Sequence, residues 1–381
     1  MRIRLGMGAK ALEEHSAVWR ELERATNPPP FQTYEWARAW FEEVAQDCVP
    51  WLITAAGPPG GLLPLALFRF GPLKVLRLMG QGISDYLGPL VPGGDPEVVR
   101  ALAARVAAER GRWDLLDLGG LWASVSERSA LAAGLGRSCR SEPGDICPIV
   151  DTRRGWEDYL GGRSKDFRSE LRRCGRKIES YGEVAAGREP PSVDLLDELE
   201  AVDRASWKWK HGQSFLRDPR LRRFLQRLLL DGRIRSELWT CRVDGTLTAY
   251  LIALVRERVR YTYLTAYHPA YSGAGVFLLG RIARASFEEG FSELDLLGGD
   301  HVHKLRWADR TRTPRRLISS SGSWRGRLAL GALALRSRFP PSDSLRRARL
   351  RLEHWAGRRA ARRRPREATD ATEIRAGAPP G

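Results

Sequence analysis

The ten residues "DLLGGDHVHK" (295–304) gather Asp295, Asp300, His301, His303 and Lys304 behind an apolar, strand-like run. Loops at strand ends commonly present catalytic side chains, and carboxylate, imidazole and ammonium groups are the means of proton transfer. Asp300 or His303 could take a proton from an attacking amine or hydroxyl, and histidine is the residue type suited to that task near neutral pH. Lys304 could bind an anionic acceptor or steady charge in a transition state. Each has a plainer use as well. Asp295 could cap or bridge elements from within its strand, and His301 and His303 could be solvated loop residues.

A second stretch, "YHPAYSGAGVFLLG" (267–280), passes from a strand through small residues into an apolar helix. Helix N-termini carry unpaired N–H groups and partial positive charge, so they hold anions where the backbone can be approached closely. Ser272, Gly273, Ala274 and Gly275 barely obstruct that approach. There is no "GK[ST]" for a triphosphate with magnesium and no "GxGxxG" for a dinucleotide. An ordinary strand-to-helix loop is the alternative. Val276, Leu279, Ala283 and Phe287 form the stripe expected to bury the helix. Elsewhere, Arg168, Arg172 and Arg176 share a helix face that suits phosphate groups or merely solvent. Trp207 in "SWKWKHG" offers either an aromatic wall for an acceptor or a core anchor.

The elements that must position these groups follow one plan twice. In the first half, helices at 10–26 and 33–45 flank "NPPPF", where three prolines stop helical structure. Strands follow at "WLITAA", "LLPLALFRF", "LKVLRLMG" and "DYLGPLV". A helix starting at Asp95 and Pro96 and the strand "WDLLDLGG" (113–120) complete this half. In the second half, helices at 194–210 and 218–232 precede strands "SELWTCRV", "TLTAYLIALV" and "VRYTYLTAYH". Hairpin turns at "DG" and "RER" join those strands. The glycine turn, its helix and the strand "SELDLLGG" (292–299) finish the copy. An internal duplication explains the match most economically.

Taken together, these residues resemble the GNAT acyltransferase superfamily, and more closely its duplicated FemAB-like and CelD-like (cellulose-biosynthesis-associated) branch. The resemblance covers residues 31–316. It rests on "FQTYEWARAWFEE", "SKDFRSELRRCGRKIE", "WKWKHG" and the run from "YHPAYSGAGVFLLG" to "GGDHVHKLRW". One departure is His303, where the family usually has Tyr. The resemblance implies an α/β fold of the α+β type, with two tandem GNAT-like units. Each would be a mixed, largely antiparallel sheet flanked by helices. Residues 1–150 would be a half without cofactor, 151–322 the half with an acyl-CoA site, and 323–381 an Arg-rich helical tail. It further implies that Ser272, Gly273, Ala274, Gly275 and Val276 hold the pyrophosphate of acetyl-CoA or another acyl-CoA. Thr265, Ala266 and Tyr267 would line the pantetheine arm. Lys304, His303 and Asp300 are then the catalytic candidates, with Arg168, Trp207 and Asp295 toward the acceptor. That acceptor would be an amine or hydroxyl on an envelope, polysaccharide or related metabolite. The alternatives are aminoacyl transfer from tRNA to a peptidoglycan precursor, or a non-catalytic module binding RNA or membrane.

Composition narrows the partners. The formal charge of the 381-residue chain is +17, but it is local. Residues 322–381 hold fifteen Arg against five acidic residues, and residues 163–177 hold seven basic against two acidic. A basic amphipathic helix over 345–367, followed by a disordered end, offers a contact for an anionic membrane surface. Nothing resembles a sequence-specific DNA reader. Five scattered cysteines without CxxC suit reduced thiols, and the histidines lack the spacing of a zinc site. No apolar run spans a bilayer, and "MRIRLGMGAKALEEH" lacks a signal-peptide core. The expected location is the cytoplasm, with peripheral contact at the inner membrane face.

Overall fold

The computed structural model describes residues 1–338 apart from 59, 137–138 and 300–301. Asp300, His301, the helix expected over 345–367 and the disordered end lie outside the described residues.

The chain begins with β1 (Arg2–Met7), α1 (Gly8–Glu14), α2 (Ser16–Thr26) and α3 (Tyr34–Glu43). Then come β2 (Val49–Ala56), β3 (Gly61–Phe70), β4 (Leu73–Leu78), α4 (Pro96–Ala108), β5 (Leu115–Leu121), α5 (Val125–Leu135) and β6 (Arg140–Pro143). The next group is β7 (Cys147–Asp151), α6 (Trp156–Gly161), α7 (Lys165–Glu179), β8 (Val184–Glu189), α8 (Val193–Ala205), α9 (Trp207–Lys210) and α10 (Pro219–Leu230). The second meander is β9 (Ser236–Val243), β10 (Thr246–Arg256) and β11 (Val259–Tyr267), followed by α11 (Ala274–Glu288) and β12 (Glu293–Asp295). The chain then runs through α12 (Val302–Leu305), β13 (Arg310–Arg312), β14 (Arg315–Ser320) and α13 (Trp324–Arg338).

Among the described residues the strands form two seven-stranded sheets, β1-β2-β3-β4-β5-β14-β6 and β13-β7-β12-β11-β10-β9-β8. In each sheet one pair is parallel, β4 with β5 and β11 with β12, and a helix crosses over between its two members. The remaining pairs are antiparallel, as short turns such as Asp244-Gly245, both at positive φ, require. The expected α/β architecture of two mixed, largely antiparallel sheets with flanking helices is therefore present.

Sequence order and sheet membership part company at two places. β7 joins the second sheet beside β12, while β14 returns to the first sheet between β5 and β6. The contiguous stretches 1–150 and 151–322 therefore do not each hold one whole sheet. The halves also share one apolar core, in which Trp36 packs edge-on against Phe224 and Tyr263, and Phe31 against Tyr261. Such pairs contribute about 0.5–1.5 kcal/mol each beyond their burial.

Several expected elements differ in detail. "DYLGPLV" makes only isolated bridges, Leu87 to Leu121 and Leu90 to Leu62, and is a loop rather than a strand. The helix expected at 194–210 breaks at Ser206, whose hydroxyl caps the short α9. β12 stops at Asp295 instead of running to Gly299. The Asp295 carboxylate accepts a hydrogen bond from Leu297 N at 2.9 Å, and Leu297 turns into the left-handed region at φ 54°. This aspartate-driven turn ends the strand.

Candidate active site

β11 and β12 pair only over three residues, Val259 to Tyr261 against Glu293 to Asp295. β11 then runs on to Tyr267 along β10, with a register shift beside Ile252, while the chain beyond β12 has already turned away. The wedge between them is a cavity of about 440 Å³. Thr262, Thr265 and Leu251 form its strand wall, and Leu296 lies on the far side.

The turn into α11 closes one end. Gly273 is the N-cap at φ 99°, and no side chain caps the helix. A side chain there would be strained, and a Cβ would sit 3.4 Å from the Cβ of Cys174 on α7. At Gly275 a Cβ would lie 2.9 Å from the ring of Tyr267, so only hydrogen fits between ring and helix. Ser272, Gly273, Gly275 and Val276 all border the cavity. The buried face of α11 includes Ala283 and Phe287 of the expected stripe, together with Leu278, Ile282 and Ser286. Val276 and Leu279 are only half buried because they face the cavity.

At the far end of α11 from this turn, Arg260 fixes the helix to the sheet. Fully buried, it pairs with Glu237 and Glu289, bonds Ser286, and lies 4.0 Å from the centroid of Phe291. A charge buried this deeply persists only because two carboxylates and a hydroxyl surround the guanidinium.

On the opposite side Lys304 reaches back over the wedge. Its ammonium donates to the carbonyls of Leu296 at 2.8 Å and Gly298 at 2.9 Å. Burial lowers its pKa, and the nearby Asp85 carboxylate works against that shift. Asp85 comes from the first half. It accepts from Gly298 N at 3.0 Å, and burial raises its pKa despite that bond. His303 also lines the cavity. A second buried lysine, Lys208, donates to the carbonyl of Thr265 at 2.6 Å, and burial lowers its pKa too.

The sequence candidates thus divide. Lys304, His303, Thr265, Tyr267, Ser272, Gly273, Gly275 and Val276 meet at one cavity. Ala266 and Ala274 have buried side chains turned into the core beside it. Asp295 is fully buried away from the cavity, accepting from Tyr86 Oη at 2.8 Å and pairing with Arg312 at 3.2 Å. Desolvation pushes its carboxyl up to about 6. Its place is at the joint between the halves, and it is not among the residues lining the cavity. Arg168 donates to the carbonyls of Leu160 and Gly161 and so closes the end of α6. Trp207 lies against His211 on the surface, outside the cavity, and its neighbour Lys208 is the residue that reaches inward.

Other residues of the site were not anticipated. Phe167 and Leu171 line the cavity from α7. Their i, i+4 spacing with Cys174 and Ile178, an apolar stripe on a strongly basic helix, was the available signal. Asp85 and Tyr86 offered no such signal, since their partners lie more than two hundred residues away.

The matching wedge of the first half is closed. Gln81 fills it, its Oε1 accepting from Gly119 N at 2.9 Å and Leu78 N at 3.4 Å. Leu87 bonds across the end of β5 through Gly120 and Trp122. The helix that follows is capped by its own Asp95, whose carboxylate accepts from Glu97 N at 2.9 Å. That negative charge sits where the second half leaves bare backbone. The loop plugging the first wedge is also the one that carries Asp85 and Tyr86 to the second.

Among the described residues no group of three or more His, Cys, Asp or Glu side chains is placed to hold a metal, and all five cysteines are free. No helix there is long and apolar enough to cross a membrane.

Comparison with known proteins agrees with this geometry. Residues 165–305 match the family described as Acetyltransferase (GNAT) domain. Among solved structures, FemX aligns with 82% of this chain and 96% of its own, at 12% identity and a TM-score of 0.56. A DUF2156 domain from Agrobacterium fabrum aligns with 83% of this chain and 96% of its own, at 17% identity and a TM-score of 0.52. L-PGS from Bacillus licheniformis aligns with 78% and 90%, at 14% identity and a TM-score of 0.51. At these identities the likeness establishes the fold. No curated protein matches in sequence. The matched segment spans α7, the open wedge, the glycine turn and Lys304, so the chain carries an acetyltransferase (GNAT) domain, which supports an acyltransferase enzyme.

Proposed function

We propose that the protein transfers an acyl group, acetyl in the simplest case, from acyl-CoA to an amine or hydroxyl of an envelope, polysaccharide or related metabolite, as in the CelD-like branch. The observation that carries this reading is the uncapped, glycine-built start of α11, which opens onto a wedge between splayed strands. The residues present suit acyl-CoA. Backbone N–H groups of Gly273, Gly275 and Val276 would hold its pyrophosphate, while that of Ala274 donates to the Tyr271 carbonyl, and the strand wall at Thr262 and Thr265 would receive the pantetheine arm. Exposed Arg172, Arg173 and Arg176 lie on α7, whose Cys174 touches Gly273, and they suit a further phosphate. Bound acyl-CoA would supply the thioester carbonyl.

The chain's own residues then orient the acceptor and manage its proton. His303 borders the cavity and has an imidazole able to accept it. Lys304 is held by two carbonyls, so its charge points at one fixed place where it attracts an anionic acceptor or offsets developing negative charge. Phe167, Leu171 and Trp307 keep that place dry, which strengthens each electrostatic contact. Asp85 positions Lys304 and the Gly298 peptide. The test is mass spectrometry of a cell extract incubated with the protein and isotope-labelled acetyl-CoA. A labelled product that disappears with Lys304→Met supports the reading; no labelled product with the wild type counts against it.

A second reading has one specific support. The same exposed arginines on α7 would suit the backbone of a charged tRNA, the donor used by FemAB-like enzymes. Transfer from aminoacyl-tRNA with no response to acyl-CoA would favour it.

A further inference from the structure

The helix α13 is apolar on both of its faces. Gly326, Ala329, Leu330 and Leu333 turn toward the first sheet, where Leu330 and Leu333 pack against Val75, Leu115 and Ile318. The approach is close, since a Cβ at Gly326 would lie 2.1 Å from the carbonyl oxygen of Asp114. The opposite face carries Trp324, Leu328 and Leu335, exposed by 61%, 64% and 61%, with exposed Gly331 and Ala332 between them. Single exposed leucines are ordinary, but large apolar residues aligned at i, i+4 and i+11 on one face are not. A helix that is apolar all round is normally covered all round.

Charge identifies the cover. Residues 324–338 contain no Asp or Glu, and arginines bracket the apolar stretch at 325, 327, 336 and 338. Arg325 and Arg327 are exposed, and Arg325 lies 5.2 Å from the Trp324 ring centroid. The remainder of the chain to residue 381 is also rich in arginine, so it would repel this face electrostatically. A second copy in antiparallel contact would set arginine against arginine. A partner that is apolar inside and negative at its surface satisfies both features, and an anionic bilayer has that layering.

We propose that the outer face of α13 docks on an anionic lipid bilayer. Trp324, Leu328 and Leu335 enter the headgroup layer, and Arg325 and Arg327 meet lipid phosphates. The inference does not depend on the identity of the acyl donor or acceptor.

The test is co-sedimentation of the full chain with vesicles of equimolar phosphatidylglycerol and phosphatidylcholine, and with vesicles of phosphatidylcholine alone. The wild type should bind the anionic vesicles and not the neutral ones. The double variant Leu328→Asn, Leu335→Asn alters only exposed positions and leaves the charge unchanged. Its partitioning should fall about tenfold or more, with circular dichroism and thermal unfolding unchanged, and Trp324→Ala should weaken binding independently. Three results would overturn the proposal: no binding of the wild type to anionic vesicles; equal binding by wild type and double variant; or a lipid-free dimer abolished by the double variant, which would show that a second copy covers the face.

Discussion

Replacing Gly273 by Ala tests whether the start of α11 is a binding device or an ordinary turn. The glycine sits at φ 99°, outside the range an L-residue adopts without strain, and the new methyl would touch Cys174 at 3.4 Å. Backbone strain of that kind costs about 1–2 kcal/mol. The chain can relieve it only by rotating the peptide planes of residues 272–275, which turns their N–H groups away from a shared focus. Hydrogen bonds to a charged group contribute about 1.5–3 kcal/mol each, so misaligning one or two should weaken acyl-CoA binding by about 2–4 kcal/mol, roughly 30- to 1000-fold. Gly93 supplies the control. It occupies the corresponding region of the first half at φ 65°, and a Cβ there would meet no atom within 4 Å. Gly93→Ala should therefore carry a similar strain and leave affinity unchanged. Calorimetric titration with acetyl-CoA, paired with thermal unfolding, reads both quantities. Equal affinities in the wild type and Gly273→Ala, or equal losses in the two variants, would refute the reasoning.

Three further outcomes follow from the buried charges. The carboxyl of Asp295 is raised from 3.8 to about 6 by burial, so the folded state holds its proton where the unfolded state has lost it, and stability falls as pH rises through that interval. The loss amounts to about 3 kcal/mol, complete above the folded pKa; Asp295→Asn should lack this decline in urea unfolding between about pH 4 and pH 7, and parallel profiles would contradict the assignment. Asp85 raises the pKa of Lys304, so Asp85→Asn, which keeps an acceptor for Gly298 N, should move the alkaline limb of the rate profile to lower pH; an unmoved limb would separate Lys304 from the reaction. Arg260→Leu leaves Glu237 only Arg188 and the Trp239 indole N–H as partners and should cost up to about 3–5 kcal/mol, and adding Glu237→Leu should recover part of it; a double variant no better than the single would mean that the pair is not the unit.

Local pattern made much of the fold legible. The meanders, the crossover helices and the Asp95 cap are each written in a few adjacent residues, through alternation, periodicity and turn chemistry. The glycine turn was legible for the same reason, because Gly273 and Gly275 act through their own backbone. What could not be read was whatever depends on distant chain. "DYLGPLV" has the alternation of a strand, yet it serves as a plug, because Gln81 ahead of it already takes Gly119 N and leaves its own Leu87 only a single bridge at the end of β5. Asp295 stands among chemically suggestive neighbours, but Tyr86 and Arg312 claim it. β14 crosses to the other sheet because a place beside β5 is open there, a fact that no window of sequence around 315–320 contains.

Of the two wedges one is open and one is plugged, and the open one is proposed to hold an acyl thioester. Isothermal titration of the full chain with acetyl-CoA tests it most directly, because stoichiometry and affinity come from the same experiment. The account predicts one site per chain, weakened by Gly273→Ala and untouched by Gly93→Ala. Two sites per chain, or no heat of binding up to about millimolar ligand, would contradict it.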